Sequence, residues 1–318
     1  MRSSIHEYFY PGKRVHLCGI GGVSMSPLAE VLHSMGLQVQ GSDMQDSPAV
    51  ERLRTLGIPV TIGHQAQSVA GADFLIRTAA VHDDNPEIQR ARETGIPIFE
   101  RAEAWGAIMQ GYRNALCIAG THGKTTTTSM ATHIFMAAGA DPTVMIGGTL
   151  PMLHSGYRVG AGDTIILESC EYCNSFLHFF PTVAVILNIE ADHLDFFKDL
   201  QDVEHSFRRF AQLVPSEGHI VANADDPGAM EALEGLALFT FGLEHPADCR
   251  AENLQWENGL PTFDVVIHGT PYCRIELQVG GRHNVMNALA AAAAAYVLGV
   301  PGQAVSSEIG RASCRERV

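Results

Sequence analysis

Residues 117–130 read CIAGTHGKTTTTSM, and this stretch decides the fold. Ala115–Ala119 is a short apolar run, the pattern of a buried parallel strand. Gly120 and Gly123 permit a tight turn, and Lys124 through Ala138 reads as a helix. Strand, glycine turn and helix start together aim backbone N–H groups and the helix dipole at an anion. Lys124 is placed to reach the β- and γ-phosphates of a nucleotide, and the Thr125 hydroxyl to sit on Mg²⁺. The common G-x-x-x-x-G-K-[ST] spacing is not met, because Ile118 stands where its first glycine would be. The chain has the shorter Gly120-Thr121-His122-Gly123-Lys124-Thr125, followed by Thr126. The alternative, an ordinary βα turn with a threonine-rich helix start, leaves the Gly-Lys-Thr order without a reason.

Working outward, 318 residues exceed one ordinary core and predict two domains. Hydrophobic residues make up 46% and charged residues 18%, a globular balance. The formal net charge of −14 argues against nonspecific nucleic-acid or membrane-surface binding. An anionic substrate must therefore be met by helix N-termini, Mg²⁺ and single cations. No apolar stretch has membrane-spanning length, and MRSSIHEYFYPGKR has no apolar core of a signal peptide. Seven cysteines, an odd number, suit a reducing cytoplasm. Cys170-Glu-Tyr-Cys173 is formally C-x-x-C, but no second pair stands at zinc spacing, so two reduced thiols in a loop are expected.

Upstream, Arg14–Ile20 is an apolar strand running into Gly21-Gly22-Val23-Ser24, with a helix from Ser24 to Met35. A second strand from Leu37 ends in Gly41-Ser42-Asp43. This βαβ unit departs from G-x-G-x-x-G, so a dinucleotide dehydrogenase is weakly supported. A diphosphate on the helix N-terminus, with Ser42 and Asp43 near a ribose or base, is chemically sensible. The alternation continues as helix 48–57, strands 58–62 and 73–77, helix 86–94 and strand 96–99, ending near Gly111. Two phosphate-binding turns in two domains point to a substrate that is itself a nucleotide conjugate.

Downstream, Thr164–Leu167 is a strand with Glu168 at its C-terminal end, where open α/β sheets bind ligands. A carboxylate there can take Mg²⁺ opposite Thr125. Val183–Leu187 is a second buried strand, and it delivers Asn188, Glu190, Asp192, His193 and Asp195. Residues 218–223 and 238–242 read as strands, and 250–280 as a hairpin region with a turn at Glu257-Asn258-Gly259. An alanine-rich helix then runs from Gly281 to about Leu298. Asn284 and Asn287 share a face of its first turn, and their donors and acceptors suit the edge of adenine.

With GTHGKTTTT, Glu168, NIEADHLD and GRHNVMNALAA in hand, the chain resembles the Mur ligases from about residue 13 to residue 300. GIGGVSMSPLAE, TAAVHDDNPEI and SFLHFFPTVAVILNIEADHLDFF resemble one branch, which joins L-alanine to UDP-N-acetylmuramate in peptidoglycan synthesis. The resemblance implies an α/β protein with a Rossmann-like UDP-sugar domain over residues 1–111. An ATP-binding central domain with a mostly parallel sheet would fill 112–307. It also implies that ATP phosphorylates the lactyl carboxylate and that the amine of L-alanine attacks the acyl phosphate. Lys124, Glu168 and His193 would be catalytic, with Thr125, Glu168 and His193 on Mg²⁺. Gly120, Thr121, His122, Gly123, Lys124, Thr125, Thr126, Asn284 and Asn287 would bind ATP. Gly21, Gly22, Val23, Ser24, Ser42 and Asp43 would take the UDP-sugar. Acidic residues stand at Cys170 and Cys173 in many members. The family's third, C-terminal Rossmann-like domain is expected to be absent, and residues 308–318, rich in arginine, to be a non-native tail. On that expectation the chain is a truncated copy that does not ligate unaided. The alternatives are a nucleotide-binding fragment without turnover and the related ligase that recycles a whole peptide.

Overall fold

The computed structural model describes residues 4–309; the expected tail at 308–318 lies almost wholly outside them. The chain divides into two compact units after Ile108.

In the first unit, β1 (Arg14–Cys18), α1 (Met25–Ser34), β2 (Gln38–Asp43), α2 (Pro48–Thr55) and β3 (Val60–Ile62) are followed by β4 (Phe74–Arg77), α3 (Pro86–Thr94) and β5 (Ile98–Glu100). The helix α4 (Arg101–Met109) closes it. The strands form one parallel sheet in the order β3-β2-β1-β4-β5. The reversal between β1 and β4 leaves the crevice at the strand ends where such sheets take ligands. Pro48 and Pro86 open their helices, and Ser47 and Asn85 accept from Val50 N and Glu87 N as caps.

The second unit carries β6 (Asn114–Ala119), α5 (Lys124–Ala137), β7 (Thr143–Leu150), β8 (Ser155–Arg158), β9 (Thr164–Glu168) and β10 (Val183–Ile186). It continues with α6 (Leu200–Ala211), β11 (His219–Asn223), α7 (Pro227–Ala232) and β12 (Leu238–Gly242). Last come β13 (Cys249–Glu257), β14 (Leu260–Ile267), β15 (Thr270–Glu276), α8 (Arg282–Val297) and α9 (Gly302–Glu308). Its sheet runs β15-β14-β13-β12-β11-β10-β6-β9-β7-β8. The pairings from β13 through β7 are parallel, and the antiparallel ones lie at the two edges. The expected turn at Asn258-Gly259 has both residues at positive φ, 52° and 80°, as a two-residue hairpin turn needs. A third strand, β15, extends that hairpin.

In α8, Ala288 and Ala290–Ala295 are completely buried, and α8 packs against α5 and the sheet. Side chains of one carbon let helix axes approach closely, so this run is a packing surface. The helix α6 escaped the sequence reading, although its signals are present. Asp199 caps it by accepting from Asp202 N at 2.9 Å, and Val203, Phe207 and Phe210 are buried along one face. Phe176 stacks on Phe210 at 4.5 Å and meets Phe207 edge-on at 5.3 Å. That contact pins the segment after β9, which includes Cys173 and Asn174 at φ near +54° and +55°.

Two outcomes follow from this packing. Phe176→Ala should cost ~3–5 kcal/mol in denaturant unfolding. It should also weaken nucleotide binding, because the segment it anchors enters the phosphate site described below. Asp225, after β11, accepts from the amides of Leu243, Glu244 and His245 at 2.6–3.1 Å. Burial pushes its pKa up, but these amides and the His245 ring outweigh that and hold the carboxyl below the usual range. A lowered folded pKa makes this stabilisation complete above the unfolded value and lost as pH falls through the folded one. Asp225→Ala should cost roughly 2–3 kcal/mol at pH 7. The difference in urea midpoint between wild type and Asp225→Asn should shrink as pH is lowered through the acid range.

Candidate active site at the phosphate loop

The turn between β6 and α5 is tight because its glycines leave no room for side chains. Gly123 has φ +83°, and a Cβ there would stand 2.5 Å from Asn287 Oδ1. Gly120 has φ +148°, and its Cβ would meet Leu187 Cβ at 2.9 Å. Any other residue would push the loop off the end of β10 and off α8.

Asn188, directly after β10, fixes the loop's shape. Its carbonyl accepts from Thr121 N at 3.0 Å, its Oδ1 accepts from His122 N at 2.7 Å, and its Nδ2 donates to His122 O at 3.1 Å. Thr121 Oγ1 in turn accepts from Glu190 N at 2.9 Å. These bonds join the loop to the segment that carries His193. Asn188 was expected only as one polar group of a cluster, and its clamping role emerges from the fold.

Lys124 points back over the loop. Its ammonium donates to the carbonyls of Gly120 and Thr121 and to Glu171 Oε2 at 3.1 Å and Oε1 at 3.3 Å. The Lys124 side chain is 14% exposed and that of Glu171 only 2%, so the pair is shielded from water. Glu171 was not among the expected site residues. It lies between Cys170 and Cys173, both exposed, and the cysteine spacing drew the attention. All six cysteines among the described residues are unpaired thiols.

The expected metal-binding trio divides into two contacts. Thr125 Oγ1 donates to Glu168 Oε1 at 3.1 Å, and Glu168 Oε2 accepts from Gly147 N at 2.7 Å. His193, at φ +52°, sits beside Glu171 instead, with Nε2 3.8 Å from Glu171 Oε1 and 4.0 Å from Asp192 Oδ2. The Tyr172 ring lies against His193 at 4.8 Å, and its hydroxyl donates to Asp195 Oδ2 at 2.9 Å. Glu171, Asp192 and His193 bring ligand atoms within 4.8 Å of one another. Carboxylates thus meet both residues of the Lys124–Thr125 pair, Glu171 at Lys124 and Glu168 at Thr125.

On the other side of the loop, a cleft of about 280 Å³ is lined by His122, Gly123, Asn188, Phe241, Met286 and Asn287, among others. Asn284 Nδ2 donates to Gly280 O at 2.7 Å, and Asn287 Nδ2 donates to Asn284 Oδ1 at 3.3 Å. The two asparagines therefore act as a pair at the start of α8, with Asn287 against the loop. His122 is exposed, its Nε2 3.6 Å from Glu190 Oε2, and Thr126 is half-buried in the first turn of α5.

In the first unit, Gly21 N donates to Asp43 Oδ2 at 2.8 Å, which ties the glycine turn to the end of β2. Val23 is exposed. The Ser24 hydroxyl meets the Arg101 guanidinium, and its carbonyl accepts from Trp105 Nε1 at 3.3 Å. Gly22 N turns inward to Gly19 O. Ser42 is fully buried, with its hydroxyl 2.6 Å from Glu87 Oε2 and 2.9 Å from His64 Nδ1. Sequence placement at a strand end did not reveal that inward orientation. Among the described residues, no helix is long and apolar enough to cross a membrane.

Comparison with known proteins supports a common origin for both units. The model of the Mur ligase middle domain matches residues 118–295, and that of the Mur ligase catalytic domain matches residues 14–113. The UDP-N-acetylmuramate–L-alanine ligase of Caldanaerobacter subterraneus is 45% identical over 91% of this chain and 63% of its own length. That of Clostridium novyi is 44% identical with the same coverage. The chain therefore spans about 63% of the length of these curated relatives. Among solved structures, a UDP-N-acetylmuramate–alanine ligase from Thermotoga maritima is 31% identical with a TM-score of 0.81, over 94% of this chain and 68% of its own. A UDP-N-acetylmuramate:L-alanyl-γ-D-glutamyl-meso-diaminopimelate ligase from Neisseria is 28% identical with a TM-score of 0.85, over 96% of this chain and all of its own. The chain belongs to the Mur ligase family.

Proposed function

We propose that this chain carries the ATP-handling and UDP-sugar-handling units of a ligase that joins L-alanine to the lactyl carboxylate of UDP-N-acetylmuramate. The observation that carries the reading is Lys124, held over a clamped glycine loop by Glu171 and backed by the Thr125–Glu168 pair. The first unit takes the UDP group at Gly21–Ser24, with Asp43 holding the turn and Ser42 buried behind it. The second takes ATP.

Arrival of the γ-phosphate gives Lys124 a better partner than the Gly120 and Thr121 carbonyls. The substrate carboxylate oxygen attacks the γ-phosphorus, an O–P bond forms, and the bond to ADP breaks. The amine of L-alanine then attacks the acyl carbon, a C–N bond forms, phosphate leaves with the C–O electron pair, and the proton lost from nitrogen passes to the departing phosphate. Lys124 and the loop amides stabilise charge on the transferring group, which is the main contribution a protein makes to such a step. Thr125 and Glu168 offer hard oxygen donors 3.1 Å apart, which suits Mg²⁺. When bound, that ion neutralises charge between phosphates. His193 and Glu171 form a second group on the same edge. Asn284 and Asn287 meet the adenine, and the cleft beside Gly123 receives it. Higher identity to the alanine ligases favours L-alanine over a peptide as the amine, and a cytoplasmic setting goes with soluble nucleotide substrates.

Binding of ATP with and without Mg²⁺, followed by calorimetry on the full chain, tests the nucleotide half of this reading. Lys124→Ala should weaken ATP at least tenfold, while Thr125→Ala and Glu168→Gln should abolish the gain that Mg²⁺ gives to the wild type. Equal ATP affinity in wild type and Lys124→Ala would sink the assignment. Release of phosphate that depends on both UDP-N-acetylmuramate and L-alanine, with the full-length gene product, tests the amine.

A further inference from the structure

A second cluster of metal-ligating side chains lies in the first unit. Cys18 ends β1, Ser42 lies in β2, His64 follows β3 and Glu87 occupies the first turn of α3. Cys18, Ser42 and Glu87 are completely buried, and the His64 side chain is 11% exposed.

Four atoms from these residues form a closed figure. Cys18 Sγ stands 2.9 Å from Glu87 Oε2, 3.6 Å from His64 Nδ1 and 4.0 Å from Ser42 Oγ. Ser42 Oγ is 2.6 Å from Glu87 Oε2 and 2.9 Å from His64 Nδ1, and His64 Nδ1 is 3.3 Å from Glu87 Oε2. These are the six edges of a tetrahedron. A tetrahedral ion with ligand bonds of about 2.0–2.3 Å needs edges of ~3.3–3.7 Å. The 3.3 and 3.6 Å edges meet this, three edges are shorter at 2.6–2.9 Å and one is longer at 4.0 Å, so the side chains must part slightly as the ion enters.

In the metal-free figure the thiol, the hydroxyl and one imidazole N–H can serve the three short contacts, which leaves the three longer edges without a proton of their own. A dication would use all four lone pairs at once, and a thiolate with a carboxylate would cancel its charge. Further bonds already orient the carboxylate. His16 Nε2 lies 3.1 Å from Glu87 Oε2, and Gln65 N donates to Glu87 Oε1 at 3.2 Å. Supporting contacts of this kind are usual around metal ligands.

We propose that Cys18, His64 and Glu87, with Ser42 as the fourth and weakest ligand, form a binding site for a borderline transition-metal dication, Zn²⁺ in the first place. Sulfur, imidazole and carboxylate together select Zn²⁺ or Co²⁺ over Mg²⁺. The oxygen-rich group of Glu171, Asp192 and His193 contains no thiol, so a sulfur signature separates the two.

The test uses the full chain, stripped with chelator and titrated with Co²⁺ and then Zn²⁺. One equivalent of Co²⁺ should give a thiolate-to-cobalt charge-transfer band and the intense visible bands of four-coordinate cobalt, and Zn²⁺ should remove both. Cys18→Val keeps an apolar side chain of similar size at a buried strand position, so it should fold, as circular dichroism will check, yet lose the sulfur band. His64→Ala should weaken Zn²⁺ binding by calorimetry, and His16→Gln should weaken it roughly 10–100-fold. The Cys170→Ser/Cys173→Ser double variant should retain the band. A wild type without the band overturns the site, as does a band that survives Cys18→Val or vanishes in the double variant.

Discussion

The second unit is organised around one charge. A lysine with 14% of its side chain exposed cannot be left unpaired, because an isolated buried ammonium is costly to remove from water. Lys124 is satisfied by two loop carbonyls and by Glu171, and each partner requires part of the fold to be correct. The carbonyls require the loop path that Gly120 and Gly123 allow and Asn188 enforces. Glu171 requires the segment after β9 to stay in place, which Phe176 secures by stacking on α6. A cation meant for phosphate is thus held ready by partners that phosphate can displace.

The same constraint explains the alanine run of α8. Asn287 must come so near the loop that a Cβ on Gly123 would stand 2.5 Å from its side-chain oxygen. A helix bearing leucines along that face could not lie so close to α5. Ala288 and Ala290–Ala295, all buried, let it do so. A composition that looks featureless in sequence is therefore part of how the loop and Asn287 come within reach of each other.

How much of this was legible follows from where each signal resides. The strand, turn and helix about Gly120–Thr125 are local, and hydrophobic runs with glycine punctuation revealed them to within a residue or so at most ends. The hairpin at Asn258-Gly259 was legible for the same reason. The pair β7–β8 was not read, because Gly147 and Gly148 interrupt the strand pattern; a Cβ on Gly147 would stand 2.6 Å from the Glu168 carboxylate that its amide donates to. Glu171 was missed because its meaning is tertiary: no spacing in Cys170–Cys173 announces a partner for Lys124. Ser42 was read as ligand-facing because it ends a strand beside a glycine turn. Its burial against Glu87 depends on α3, which arrives from more than forty residues away.

The two units answer the problem of anion binding in a chain of net charge −14 by opposite electrostatic means. In the second, a shielded cation lies over the loop, where a carboxylate and two loop carbonyls hold it. In the first, the buried charge is the carboxylate of Glu87. Burial pushes its pKa up, yet the hydrogen bond and charge of His16, with Cys18 and Ser42, outweigh that and bring it down to about 2. The glycine turn before α1 offers backbone amides and the Ser24 hydroxyl beside the Arg101 guanidinium, with Gly21 N already given to Asp43. Amides and a helix terminus can hold a diphosphate that only has to be positioned. On the function proposed above, the transferred phosphoryl group calls for a formal positive charge at the reacting end, and Lys124 is placed to supply it.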